Sequence, residues 1–172
     1  MIRLLNYLQS TYMGKRVSES DVTSEIIVLP GDTNMFGDLY GGRLVEWMDN
    51  IGSITAFKHS RKKVVTGSID NLFFLSPIKL GYIVHLHSFV TYTTKSTMEI
   101  EIDVSSENVI TSNSNVTTRA FFTYVALDEN GHATEIPEII PENDIERKRF
   151  VDGEKRLELR LQALKSVKAD LK

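Results

Sequence analysis

Residues 41–59 are the only part of the chain's body in which apolar side chains recur every three or four positions; around them the pattern repeats every two. Leu44, Trp47, Met48, Ile51, Ile54 and Thr55 line one side of a helix at 100° per residue, so one long amphipathic helix starts at Gly41-Gly42 and ends near His59. Ahead of it, the β-rich run 22–29 stops at the breaker pair Pro30-Gly31. Behind it, Met98–Val104 alternates, with Met98, Ile100, Ile102 and Val104 directed to a core and Glu99, Glu101 and Asp103 to water. Val64–Phe74, Tyr82–Tyr92 and Val116–Leu127 complete five strands, separated by turn-forming runs at 77–81, 94–96 and 112–115. Short connections predict a meander in which sequential strands are neighbours. One helix cannot cover both faces of such a sheet. The order therefore predicts an α+β architecture in which an antiparallel sheet wraps a single helix, and another subunit completes its edges or second face.

At 172 residues the chain suits one domain, placed at 21–140, with a leader at 1–20 and a tail at 141–172. In the leader, Ile2, Leu4, Leu5 and Leu8 form one apolar helical stripe. The charged tail places Leu157, Leu161, Leu164 and Leu171 at helical spacing, which predicts an amphipathic helix, solvated or packed on the body or a partner chain. No apolar run approaches the roughly 18 to 20 residues of a membrane span, and no secretory pattern opens the chain, so a soluble cytoplasmic protein is expected. The absence of cysteine excludes disulfides, thiolate zinc sites and a cysteine nucleophile. His85 and His87 share a strand face without acids at matching spacing, so no metal is expected. Formal charge is −3; residues 1–140 hold 11 Lys/Arg against 16 Asp/Glu, a balance unsuited to nucleic acid.

The chemistry is expected at the head of the helix. Gly41-Gly42 exposes unpaired N–H groups with no Cβ to block approach, and the helix dipole adds positive potential there. The pair is either an anion or oxyanion site or a plain tight turn. Asp49, seven positions beyond Gly42, lies within about 20° of the same face and roughly 10 Å along the axis. It reads as a functional carboxylate or as a solvated acid. Gly52, Ser53 and Ala56 line that side with small groups, which lets a ligand or another backbone approach. Asp38 suits a helix cap or a loop-ordering role. His59 and Arg61-Lys62-Lys63 make a phosphate-attracting corner or a solvated turn.

Taken together, Leu29–Asn34, Gly37–Gly42, Trp47-Met48-Asp49, Ala56–His59, Val64-Val65-Thr66 and Phe74–Ile78 resemble, in order and spacing, the bacterial acyl-CoA thioesterase family of hotdog fold. The resemblance spans about Ile26 to Pro141 and leaves out leader and tail. It implies a hotdog domain, a central helix wrapped by a five-stranded antiparallel sheet, assembled as a homo-oligomer, a dimer or trimer of dimers, with sites between subunits. It implies hydrolysis of fatty acyl-CoA to fatty acid and CoA, with CoA part of substrate and product and no separate cofactor. The catalytic carboxylate maps to Asp49, the polar position before the glycine pair to Asp38, oxyanion donors to Gly41 and Gly42, and a partner-chain hydroxyl to Thr66. Substrate and CoA contacts map to Asn34, His59, Arg61, Lys95 and Ser96. Two departures, Thr94 where glycine is common and Tyr82 where an acid is frequent, touch the CoA contacts and leave the catalytic face alone. The competing reading is a non-catalytic acyl-CoA-binding regulator, which needs an attached DNA-binding unit that neither end displays; a dehydratase needs a His beside the helix acid.

Overall fold

The computed structural model describes residues 14–70 and 72–170. The apolar stripe of residues 1–8 and the tail's Leu171 lie outside them. In chain order the elements are β1 (Lys15–Arg16), β2 (Val22–Ile27), α1 (Gly41–Ser60), β3 (Lys63–Asp70), β4 (Ile83–Thr93), β5 (Thr97–Glu107), β6 (Ser114–Leu127), β7 (Ile139–Ile140) and α2 (Asp144–Asp170). Five strands form one antiparallel sheet in the order β2-β4-β5-β6-β3.

Only β4, β5 and β6 form the expected meander. β3 crosses to pair with β6, so β2 and β3 become the two edges. The third strand is also shorter than its apolar run suggested: it ends at Asp70, and Phe73-Phe74-Leu75 belong to the connection toward β4, whose Leu75 amide donates to the Thr117 carbonyl. β1 and β7 add a short parallel pair that the period-two pattern is too brief to reveal.

α1 lies against the concave face of the sheet. Leu44, Met48, Ile51, Gly52, Thr55, Ala56, His59 and Ser60 are its buried positions, and Leu44, Met48, Ile51 and Ala56 share one core with Met98, Ile100, Ile102 and Val104 of β5 and Val84, Leu86, Val90, Phe122 and Tyr124 of the neighbouring strands. Each large apolar side chain removed from water in this layer stabilises the fold by about 1.5–3 kcal/mol. The helix ends at Arg61, in the left-handed region at φ 55°, whose N–H bonds to the Phe57 carbonyl. Lys15 Nζ donates to the carbonyls of Lys58 and His59, satisfying acceptors that the helix terminus leaves open.

The convex face departs from expectation. Glu99 and Glu101 do not face water: each is about 2% exposed. The chain's own α2 covers this part of the sheet, so completion of the second face does not wait on another subunit here. α2 docks through Phe150 on Tyr92, Gly153 against Tyr92 and Glu99, and a row of arginines, whereas Leu161 and Leu164 of the predicted stripe stay exposed. Arg156 and Arg160 bond to Glu99, Arg160 also reaches Asp70, and Arg149 with Arg119 flanks Glu101. Burial of the Glu101 carboxyl pushes its pKa up, against the pull of Arg149 and Arg119.

Candidate active site

Tyr40, in extended conformation, precedes α1, and its carbonyl accepts the first helical bonds, from the amides of Arg43 and Leu44. The amides of Gly41 and Gly42 have no acceptor among the described residues, which leaves two aligned donors at the positive end of a 20-residue helix. Asp38 does not cap this helix. Its carboxylate pairs with Lys79 Nζ at 2.6 Å, and the residue bridges to the β4-proximal connection through backbone pairing with Lys79. That is the loop-ordering alternative.

A cavity of about 390 Å³ opens at this helix head, lined among others by Asn34, Asp38, Gly41, Leu44, Phe74 and Ile78. Asn34 Oδ1 accepts the amides of Phe36 and Asp38, so the side chain orders the loop while its Nδ2 has no acceptor among the described residues.

Asp49 lies two turns further along α1, partly exposed, outside that cavity's lining. Two hydroxyls converge on one of its oxygens. Thr66 Oγ1 donates to Oδ1 at 2.7 Å, and Tyr124 Oη donates at 3.0 Å to Oδ1 and at 3.0 Å to the Asp49 carbonyl. Thr66 and Tyr124 are register partners across β3 and β6, so their side chains leave the sheet on the same face, toward α1. Thr66 thus reaches the carboxylate of its own chain; a partner chain is not needed to deliver this hydroxyl. A register shift at Gly67 follows immediately and turns the rest of β3. Burial and the neighbouring Asp49 charge raise the Tyr124 pKa well above the usual phenol value, so it is a neutral donor throughout the working pH range.

Tyr124 was not singled out in the sequence. It stands 75 residues from Asp49, inside a strand that reads simply as core. The available signal was Gly52: a Cβ there would overlap the Tyr124 hydroxyl. The small-residue face next to Asp49 admits this ring, and not only a ligand or a second backbone.

The expected CoA contacts divide. His59 is removed from the basic corner: it is fully buried, with Nε2 2.9 Å from the Pro137 carbonyl and Nδ1 3.4 Å from Ser20 Oγ. Arg61 is exposed where expected. Lys95 is exposed and pairs with Glu135 at 3.0 Å; the Ser96 carbonyl accepts the Ala126 amide. Because Lys63 and Val64 pair with Leu127 and Ala126, the basic start of β3 and the 94–97 turn lie at one end of the sheet. Thr94 closes that turn without a positive φ, its hydroxyl 2.7 Å from that of Thr97, so glycine is not required. Tyr82 Oη accepts from Asn108.

This constellation sits on an architecture with close relatives. Residues 36–112 match the family described as the thioesterase superfamily. The chain is 39% identical over 128 residues to an uncharacterized acyl-CoA thioester hydrolase, YkhA, of Bacillus subtilis, covering 74% of each chain. It belongs to the thioesterase superfamily. Among solved structures it is similar to the acyl-CoA hydrolase from Staphylococcus aureus in complex with butyryl coenzyme A, coenzyme A and coenzyme A disulfide, at 33% identity and a TM-score of 0.85 over 91% of this chain and 96% of that one. It is also similar to a hexameric thioesterase from Yersinia pestis, at 35% identity and a TM-score of 0.62 over 67% and 93%. The superfamily's hotdog fold is the one observed here: five antiparallel strands around one long helix, with α2 added on the convex side.

Proposed function

We propose that this thioesterase-superfamily chain hydrolyses acyl-CoA thioesters to a fatty acid and CoA, with Asp49 as its catalytic carboxylate. The observation that carries the reading is the state of that side chain: a partly exposed carboxylate with Oδ1 tethered by Thr66 and Tyr124, on the helix face that begins with the open amides of Gly41 and Gly42. Neutral thioesters need two things. Negative charge that develops on the carbonyl oxygen must be stabilised, and aligned amides at a helix N-terminus do this. An oxygen must also be delivered to the carbonyl carbon, and Asp49 delivers it, as base toward water or as nucleophile toward the carbonyl. The C–S bond then breaks and the CoA thiolate leaves, taking up a proton; where Asp49 itself attacked, water next cleaves the acyl-aspartyl anhydride, which releases the fatty acid and restores the carboxylate.

The open amides of Gly41 and Gly42 form the oxyanion end, with the Asn34 Nδ2 as a further donor at the cavity wall, and Asp38, paired with Lys79, orders the loop beside them. The exposed basic groups Arg61 and Lys95, with Ser96 near them, suit the phosphates of CoA; His59 takes no part in that contact. Within one chain the cavity at the helix head stops short of Asp49, and the Asp49 side of α1 borders the free edge strand β3. The working site is therefore closed by a second copy, in a dimer or in a trimer of dimers. The similarity to the butyryl-CoA complex and to the hexameric relative supports substrate class and assembly alike. The regulator reading gains nothing from the tail: α2 is one helix held on the sheet by buried ion pairs.

The test is direct, because a protein without cysteine gives no background when released CoA thiol is followed colorimetrically. Across acyl-CoA substrates of rising chain length, Asp49→Asn is expected to lower turnover by about 10²–10⁴-fold while circular dichroism and melting stay those of wild type. Wild-type rates in a folded Asp49→Asn protein would remove the assignment.

A further inference from the structure

We infer that Tyr124 is a positioning residue that, with Thr66, decides which oxygen of Asp49 reacts. The inference rests on the reading of Asp49 as the catalytic carboxylate and goes one step deeper into that site. Both hydroxyls donate to the same atom, Oδ1, and Oδ2 has no partner among the described residues. A carboxylate held this way has lost its twofold choice. Rotation about Cβ–Cγ, which would exchange the two oxygens, breaks both bonds, so Oδ2 is the one presented to water or to the carbonyl carbon.

Tyr124 can hold this post because nothing about it is free to move. Its ring is buried completely between α1 and the sheet, stacked alongside Phe122. Its hydroxyl divides one proton between the Asp49 carbonyl and Oδ1, so the phenol is indexed to the helix backbone as well as to the side chain. Gly52, one turn beyond Asp49, supplies the gap the hydroxyl occupies, with Ile102 of β5 closing it from below. Thr66, by contrast, comes from the exposed edge strand β3 and is itself exposed. The rigid half of the clamp is the tyrosine.

The experiment uses the full-length protein and measures kcat and KM for an acyl-CoA, and the melting temperature, with three variants. Tyr124→Phe keeps the ring and removes only the donor. It is expected to lower kcat roughly tenfold with KM and melting temperature little changed. Gly52→Ala, which pushes the hydroxyl off Asp49 from the other side, is expected to lower kcat in the same way, again with KM little changed. Asp49→Asn serves as the reference. If Tyr124→Phe keeps the wild-type kcat while Asp49→Asn is inactive, the positioning role fails and the catalytic carboxylate stands. A rise in KM as large as the fall in kcat, or a fall in kcat matched by a lowered melting temperature in both Tyr124→Phe and Gly52→Ala, also overturns the role, because loss of packing alone would produce it. Activity in folded Asp49→Asn overturns both readings.

Discussion

The driest point of the α1 terminus is an imidazole. His59 is fully buried, and loss of water around the ring, only partly offset by the Pro137 carbonyl, lowers its pKa to about 4. The unfolded chain binds this proton near pH 6.5 and the folded chain does not until about pH 4. Below pH 6.5 the unfolded state therefore carries more protons, and stability falls as pH drops through that window, by roughly 3 kcal/mol once pH 4 is reached. Urea melts between pH 7 and pH 5, above most carboxylate titration, should show this slope in wild type and a flatter one in His59→Gln; equal slopes would place the acid sensitivity elsewhere. The same residue shows what a single sequence makes legible. Helical period put Asp49 on the face of the diglycine, because both lie within two turns of one element. Burial of His59 depends on Ser20 and Pro137, which are 39 and 78 positions away, and the Tyr124 contact spans 75. Local spacing carries no information about partners at that range.

At the scale of elements, α1 and the meander β4-β5-β6 are legible because each repeats its period over many residues, as in the perfect alternation of Met98–Val104, whereas the crossing of β3 to β6 is not. What alternation reports is which side a residue takes, not what covers that side. Alternation puts Glu99 and Glu101 opposite the apolar row and predicts that they face water, yet they are dry, because α2 covers them and Arg156 and Arg160 reach Glu99 from 57 and 61 residues downstream. A buried carboxylate stripped of every partner costs about 3–5 kcal/mol; Arg156→Ala leaves Arg160 on Glu99 and should lower the unfolding free energy by less, about 1.5–3 kcal/mol. Adding Glu99→Gln should return part of the loss, and strict additivity of the two changes in a double-mutant cycle would mean the pair is not coupled. Gly153 makes a second test of the same docking. Glycine costs a helix interior about 1 kcal/mol relative to alanine, so Gly153→Ala would stabilise an isolated helix. Here the new Cβ would stand 2.7 Å from Tyr92 Cβ and 3.0 Å from Glu99 Oε1, and the substitution should destabilise the protein instead. A rise in melting temperature would show that α2 is held less closely than this packing requires.

For the molecule as a whole, the asymmetry of its surface matters more than its composition. The convex face is covered from within by α2, while the other side of the site is open: Ile54 and Phe57 on α1 and Val65 and Ile69 on β3 are each more than 40% exposed. β3 is also an edge, and its free backbone groups favour pairing with another strand. Apolar side chains beside an unprotected edge are costly in water, and in the proposed oligomer they would form a self-complementary seam where two copies meet about a twofold axis. Asp49 and Thr66 lie beside that seam, so assembly and catalysis should rise and fall together. Phe57→Glu places a charge in the seam without touching Asp49, Thr66, Tyr124 or the cavity at the helix head. The expected result is a folded monomer by sedimentation with little thioesterase activity. Dilution of wild type should give the same coupled loss, with specific activity falling at the concentration where the oligomer dissociates. A Phe57→Glu monomer that turns over acyl-CoA at the wild-type rate would mean that one chain already holds a complete site, and that the open side of α1 serves assembly alone.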